Sequence, residues 1–282
     1  MSSGLKLGSS WHHLSRCNST NDEALALGRA GAVDGAVVTA DAQDRGRGRL
    51  GRSWFSPPGE NLYLSVLLRP QLAPPRTPFL TLCAGVALAQ AAAQMLAQAA
   101  PAATAAAAPS SAAPPAVAPP VVQLKWPNDL LLAQRGDRLR KAGGILTELV
   151  LCGSRVDFVV IGIGVNVNCL QFPDDLEATS LRAVLPAISA PLSVPAFAAL
   201  LLAQLQDRYE EFLERGPEPI RDAFCAHAAY LGQPAPLTVN SGDRLLRGIP
   251  LGLGDDGALL LRSESGELHR VVAGQIVSPL PG

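Results

Sequence analysis

Short, nearly continuous apolar runs bounded by turn residues predict strands at Gly35 to Ala40, Leu62 to Leu68, Val121 to Lys125, Ile145 to Leu151 and Val156 to Val167. Longer amphipathic stretches predict helices at Asp22 to Arg29, Val194 to Glu214 and Pro219 to Ala229. The first is preceded by a capping-box pattern, Thr20-x-x-Glu23, and closed by Gly31. From Thr77 to Leu124 there is no charged residue, as in a membrane span. Gln90, Gln94 and Gln98 nevertheless fall at i, i+4 and i+8, so a helix here has one polar face and reads as an amphipathic helix of a soluble protein. Beyond Gly232 the rhythm changes to short β-like runs (Leu237 to Val239, Leu245 to Pro250, Ala258 to Arg262, Leu268 to Val272) separated by turn signals such as Asp255-Asp256-Gly257.

The sum is a mixed α/β sheet domain over residues 1–232 and a small β-barrel-like module over 233–282. Residues 97–120 hold 13 Ala and 6 Pro, too much proline for a helix and too few large side chains for a core, so a flexible surface insertion is expected there. A net charge of -1 gives no global pull toward nucleic acid or an anionic membrane, so any anion binding must be local. Five scattered cysteines without a CxxC pair support neither a disulfide framework nor a zinc site. They fit a reducing cytoplasm, as does an N-terminus without an apolar signal region.

The densest chemical signal is Arg45 to Arg52, with four arginines and three glycines in eight residues. Glycines let the backbone approach a ligand, and guanidinium forks bind carboxylate or phosphate. By itself the run reads equally as an arginine-rich surface loop or an RNA contact. Lys125-Trp-Pro-Asn-Asp-Leu130 places an Asn–Asp pair beside a lysine at a strand end, suited to a hydrated Mg²⁺ and a phosphate, or simply a Pro-Asn-Asp turn. Lys141-Ala-Gly-Gly-Ile-Leu-Thr-Glu148 and Gly162-Ile-Gly-Val-Asn-Val-Asn168 are weaker signals; the second reads alone as a bulge in a core strand. Neither a Rossmann fingerprint nor a P-loop is present.

In order, Ser19-Thr-Asn21, Gln43, Gly46-Arg-Gly-Arg-Leu-Gly-Arg52, Lys125-Trp-Pro-Asn-Asp-Leu130, Lys141-Ala-Gly-Gly-Ile-Leu146 and Gly162-Ile-Gly-Val-Asn166 closely resemble the biotin protein ligase family. The resemblance runs from about Ser19 to the C-terminus, and only the Ala/Pro tract is foreign to it. It implies an α/β (α+β) catalytic domain, a mixed sheet flanked by helices, followed by an SH3-like β-barrel. It also implies ATP-dependent activation of biotin to biotinyl-5'-AMP and transfer to a lysine of a biotin carboxyl carrier protein. Ser19, Thr20, Asn21 and Gln43 would hold the ureido ring, with Arg47, Gly48, Arg49, Lys141 and Gly162 completing the biotin site. Arg47, Arg49, Arg52, Trp54, Lys125, Asn128, Asp129, Lys141 and Asn166 would serve ATP, with Asn128 and Asp129 at Mg²⁺ and Trp126 as a further apolar wall. Arg49, Lys141, Asp129 and Lys125 are expected in catalysis, since a carboxylate attacking a phosphate needs both charges neutralised. Asp44 is expected to pair with Arg45 or Arg47. Only 18 residues precede Ser19, too few for the DNA-binding domain of the family's repressors, so no DNA partner is expected. A homodimer, if one forms, would use sheet edges. Rival readings are a lipoate or octanoate ligase, and a biotin-binding sensor without turnover.

Overall fold

In a computed structural model of the chain, the described residues are 6–99, 119–185, 190–231, 237–241 and 244–277. The expected boundary at residue 232 and residues 100–118 of the Ala/Pro tract lie outside them; Ala97 to Ala99 form the last turn of a helix.

The strands are β1 (Trp11–Leu14), β2 (Val37–Ala40), β3 (Leu62–Leu68), β4 (Val121–Lys125), β5 (Asp129–Ala133), β6 (Arg140–Cys152) and β7 (Arg155–Val165), then β8 (Leu237–Ser241), β9 (Arg244–Leu253), β10 (Leu259–Arg262), β11 (Leu268–Val271) and β12 (Gln275–Val277). The helices are α1 (Thr20–Arg29), α2 (Pro78–Ala99), α3 (Val194–Arg215) and α4 (Glu218–His227). A seven-stranded sheet runs β1-β2-β3-β7-β6-β5-β4 and is antiparallel except for the parallel β1–β2 pair. A second, antiparallel sheet runs β11-β10-β9-β8-β12.

The period of two divides the large sheet. Leu62, Leu64, Val66 and Leu68 of β3, with Val159, Ile161, Ile163 and Val165 of β7, join the core under α2 and α3. Leu67, Phe158 and Val160 join Ala24 and Val38 in a smaller core under α1. Each fully buried Leu or Val contributes roughly 1.5–3 kcal/mol, so the α2 face carries most of the stability. Helix α2 is long and apolar enough to cross a membrane, yet 78% of its most apolar window is buried inside the protein. Gln90, Gln94 and Gln98 lie on its less buried side, as their spacing predicts.

Three expectations need correction. The capping box does not form: Ser19 is the N-cap without a side-chain cap bond, and Thr20 belongs to the helix. The Gly162 segment is no bulge, because Ser65, Gly162 and Leu146 pair in unbroken register. The strand expected from Ile145 begins earlier, so that Lys141 and its two glycines lie inside β6, and β1, β5 and β12 were not foreseen.

Candidate functional site

A cleft of about 790 Å³, its open mouth included, lies on the α1 face of the large sheet. Its floor is made by residues that the strand period turns away from α2: Tyr63 of β3, Gly144 and Leu146 of β6, Gly162 and Gly164 of β7. The two glycines of β7 create the space. A Cβ on Gly162 would sit 2.0 Å from Asn21 Oδ1, and one on Gly164 would sit 2.6 Å from Trp54 Nε1. We expect Gly162→Ala to displace Asn21 and weaken ligand binding roughly thirtyfold, about 2 kcal/mol. Titration calorimetry with biotin, the ligand that the sequence resemblance implies, checks this, and affinity within threefold of the parent would contradict it.

At the α1 end the lining is polar and satisfied. The first turn of α1 presents Thr20 and Asn21, both buried. Gln43 Oε1 accepts from the Thr20 N–H at 2.9 Å, taking the role of a cap, while Gln43 Nε2 donates to Ser56 Oγ at 3.1 Å. Ser65 Oγ donates to Asn21 Oδ1 at 2.6 Å, and Asn21 Nδ2 donates to Glu148 Oε2 at 2.7 Å. Arg47 closes this end with a fork onto Glu148, at 2.9 and 3.1 Å, and a bond to Asp22 at 2.6 Å. Two carboxylates thus neutralise one guanidinium.

The opposite end is cationic. The β4–β5 hairpin turns through the cis Trp126–Pro127 bond and opposes Lys125 to Asp129. The Asp129 side chain is 7% exposed and accepts from Lys141 Nζ at 2.7 Å and Lys125 Nζ at 3.2 Å. Lys141 Nζ also stands 5.4 Å from the centre of the Trp54 ring, a cation–π distance. Arg49 donates through one nitrogen to Asn128 Oδ1 at 3.1 Å and to the Gly274 carbonyl at 3.2 Å. Burial lowers its pKa and the Asp129 charge opposes that shift; a guanidinium stays protonated regardless. The Arg45–Arg52 run is therefore an ordered loop, tied also by Gly48 N to Arg52 O at 2.7 Å, with Leu50 held at φ 58°. A leucine in that left-handed region costs roughly 1–2 kcal/mol.

Of the residues singled out in the sequence, Ser19, Thr20, Asn21, Gln43, Arg47, Gly48, Arg49, Arg52, Trp54, Asn128, Asp129, Lys141 and Gly162 line this one cleft. Lys125 does not; it reaches the cleft only through Asp129. Asn166 is buried, its amide donating to the Thr179 carbonyl at 3.0 Å, and it too lies outside the lining. Trp126 Nε1 donates to the Gly257 carbonyl at 3.1 Å and so ties the two sheets together, and Trp126 lines an adjoining pocket that shares Arg49, Leu50, Ile145 and Leu146 with the cleft. Asp44 pairs with Arg16 at 2.6 Å, not with Arg45 or Arg47. The Asn128–Asp129 pair does not fit a direct magnesium ligand. Both Asp129 oxygens face ammonium groups, and Asn128 Oδ1 accepts from Arg49. Sequence reading missed Ser65, Glu148 and Gln275. A lone serine inside Leu-Tyr-Leu-Ser-Val-Leu-Leu was a visible sign of a buried polar role, whereas nothing marked Gln275.

Residues 14–166 match the family model described as biotin/lipoate A/B protein ligase. The chain is 36% identical to a biotin--[acetyl-CoA-carboxylase] ligase of Paracoccus denitrificans, over 90% of this chain and 94% of the relative. It is 33% identical to the bifunctional ligase/repressor BirA of Bacillus subtilis, over 88% of this chain and 68% of the relative. Among solved structures, biotin protein ligase of Leishmania major with biotinyl-5-AMP superposes with a TM-score of 0.57 at 27% identity, covering 94% of this chain and 99% of that one. The Aquifex aeolicus enzyme with biotin and ATP shares the fold, with a TM-score of 0.74 at 24% identity over 95% of this chain and 98% of that one. The matched segment carries α1, the arginine loop, β4–β5 and the three glycines of the cleft floor, and on that match the chain belongs to the biotin/lipoate A/B protein ligase family.

Proposed function

We propose that this protein activates biotin with ATP to biotinyl-5'-AMP and transfers the biotinyl group to a lysine of a biotin carboxyl carrier protein in the cytoplasm. The observation that carries the reading is the polarity of the cleft. Its α1 end offers neutral hydrogen-bonding groups around an already neutralised Arg47, while its other end sets Arg49, Arg52 and Lys141, with Lys125 behind the lining, against the single carboxylate of Asp129. A ligand with an uncharged polar head and an anionic tail fits that order. The ureido ring of biotin would take the polar groups of Thr20, Asn21 and Gln43, and its carboxylate would point toward Lys141. A dithiolane or alkyl head could hydrogen-bond to none of these groups and would forgo about 0.5–1.5 kcal/mol for each bond not made.

In the first step a carboxylate oxygen of biotin attacks the α-phosphorus of ATP, and the bond to the bridging oxygen breaks to release pyrophosphate. Nucleophile and electrophile are both anionic, so Lys141, Arg49 and Arg52 must offset their repulsion and the charge building on the leaving group. In the second step the neutral amine of the carrier lysine attacks the acyl carbon of the mixed anhydride and AMP departs. A divalent ion accompanying ATP would be held by phosphate oxygens and water, as magnesium commonly is, and not by the Asn128–Asp129 pair.

The test is exchange of labelled pyrophosphate into ATP with biotin, lipoate or octanoate as the acid. Exchange with biotin alone is the expected result. Exchange with lipoate or octanoate instead would change the substrate, and biotin binding without exchange would identify a sensor.

A further inference from the structure

We propose that the C-terminal sheet supplies a positioning group for the reaction: the Gly274 carbonyl, with Asn128, holds Arg49 by neutral acceptors so that its charge is not spent in an ion pair and remains available to the nucleotide phosphate. The inference rests on the adenylation reading of the same cleft.

The contrast among the cations carries it. Arg47 is spent on two carboxylates, and Lys125 and Lys141 share Asp129. Arg49 alone among these four is fixed by dipoles, at 3.1 and 3.2 Å, and no carboxylate lies within ion-pair distance of it among the described residues. A guanidinium held by neutral carbonyl oxygens is oriented without being cancelled. Its partner carbonyl comes from 225 positions away in the chain.

That carbonyl sits at a closely packed position. A Cβ on Gly274 would lie 2.5 Å from the Asn240 carbonyl oxygen, so no side chain fits without moving the strand. The next residue, Gln275, pairs with Asn240 in the β12–β8 ladder and also lines the cleft, while Ile276 is buried. The small sheet is fastened to the rest of the chain by Trp126 Nε1 of the β4–β5 turn on the Gly257 carbonyl and by Arg221 of α4 on Asp255 at 2.6 Å. Cleft geometry therefore depends on where the small sheet docks.

The experiment compares the full-length parent with Gly274→Ala, Arg49→Ala, their double variant, and Trp126→Phe, which keeps the buried ring but removes the tether to Gly257. In Gly274→Ala the KM for ATP should rise roughly tenfold, and the fraction of biotinyl-adenylate escaping into solution should rise toward that of Arg49→Ala. Biotin affinity measured without ATP should stay within about twofold, a split that general destabilisation would not produce. The double variant should be no worse than Arg49→Ala, because both changes remove one interaction. Trp126→Phe should shift KM and escape in the same direction by a smaller factor, and it carries the test if Gly274→Ala does not fold. An additive double variant, or unchanged KM and escape in the folded variants of an active parent, would overturn the role of Gly274. A parent without biotin-dependent exchange would instead sink the adenylation reading, and this inference with it.

Discussion

Replacing Lys141 by alanine should lower kcat/KM for biotin-dependent pyrophosphate exchange by roughly 10²–10³ while leaving the fold intact. The ammonium of Lys141 is oriented from two sides, by the Asp129 carboxylate at 2.7 Å and the face of Trp54 at 5.4 Å, and its side chain is 36% exposed at the cleft. A fixed cation where two anions must meet stabilises the transition state without reorganisation, and removing one such group is worth about 2.7–4 kcal/mol. Folding should survive because Asp129 keeps Lys125 at 3.2 Å. Exchange kinetics and a thermal melt on the same sample check both halves. A loss under tenfold, or a large drop in melting temperature, would contradict the role assigned to this lysine.

Asp129→Asn should cost about 3 kcal/mol of stability, read from the denaturant midpoint at unchanged slope. One buried carboxylate balances two ammonium groups, and the Lys125 side chain is only 12% exposed, so it cannot recover its hydration when that carboxylate goes. Stranding a charge costs more than the pair contributed. Adding Lys125→Met to Asp129→Asn removes the stranded ammonium and should restore much of the loss. A double variant no more stable than Asp129→Asn would show that the cost lies elsewhere in the hairpin. Catalytic activity would not recover in either case, because Lys141 would have lost its orienting partner.

The two glycines of β7 show how far a sequence can lead. Gly162 and Gly164 are two residues apart in an apolar run, and that spacing alone puts both on one face of a strand. What lies on that face could not be read, since Asn21 and Trp54 arrive there from 141 and 110 positions away. Likewise the arginine loop announced an anion site, while the division of labour between Arg47 and Arg49 depends on carboxylates and carbonyls brought by other elements. The capping-box reading failed for the same reason. Gln43 crosses from the next strand's end to take the Thr20 N–H, a long-range bond that outcompetes the local one.

By itself the sequence determined most strands of the mixed sheet, the four helices, the hairpin-rich tail and the family, because periodicity, turn chemistry and contiguous motifs are local properties. It also marked most of the residues that meet in the cleft. Only the tertiary structure decided which cations are already neutralised, that Lys125 and Asn166 stand behind the lining, and that Gly274 and Gln275 of the small sheet reach the site. Charge compensation and close approach are relations between distant segments, and they exist only once the chain has packed.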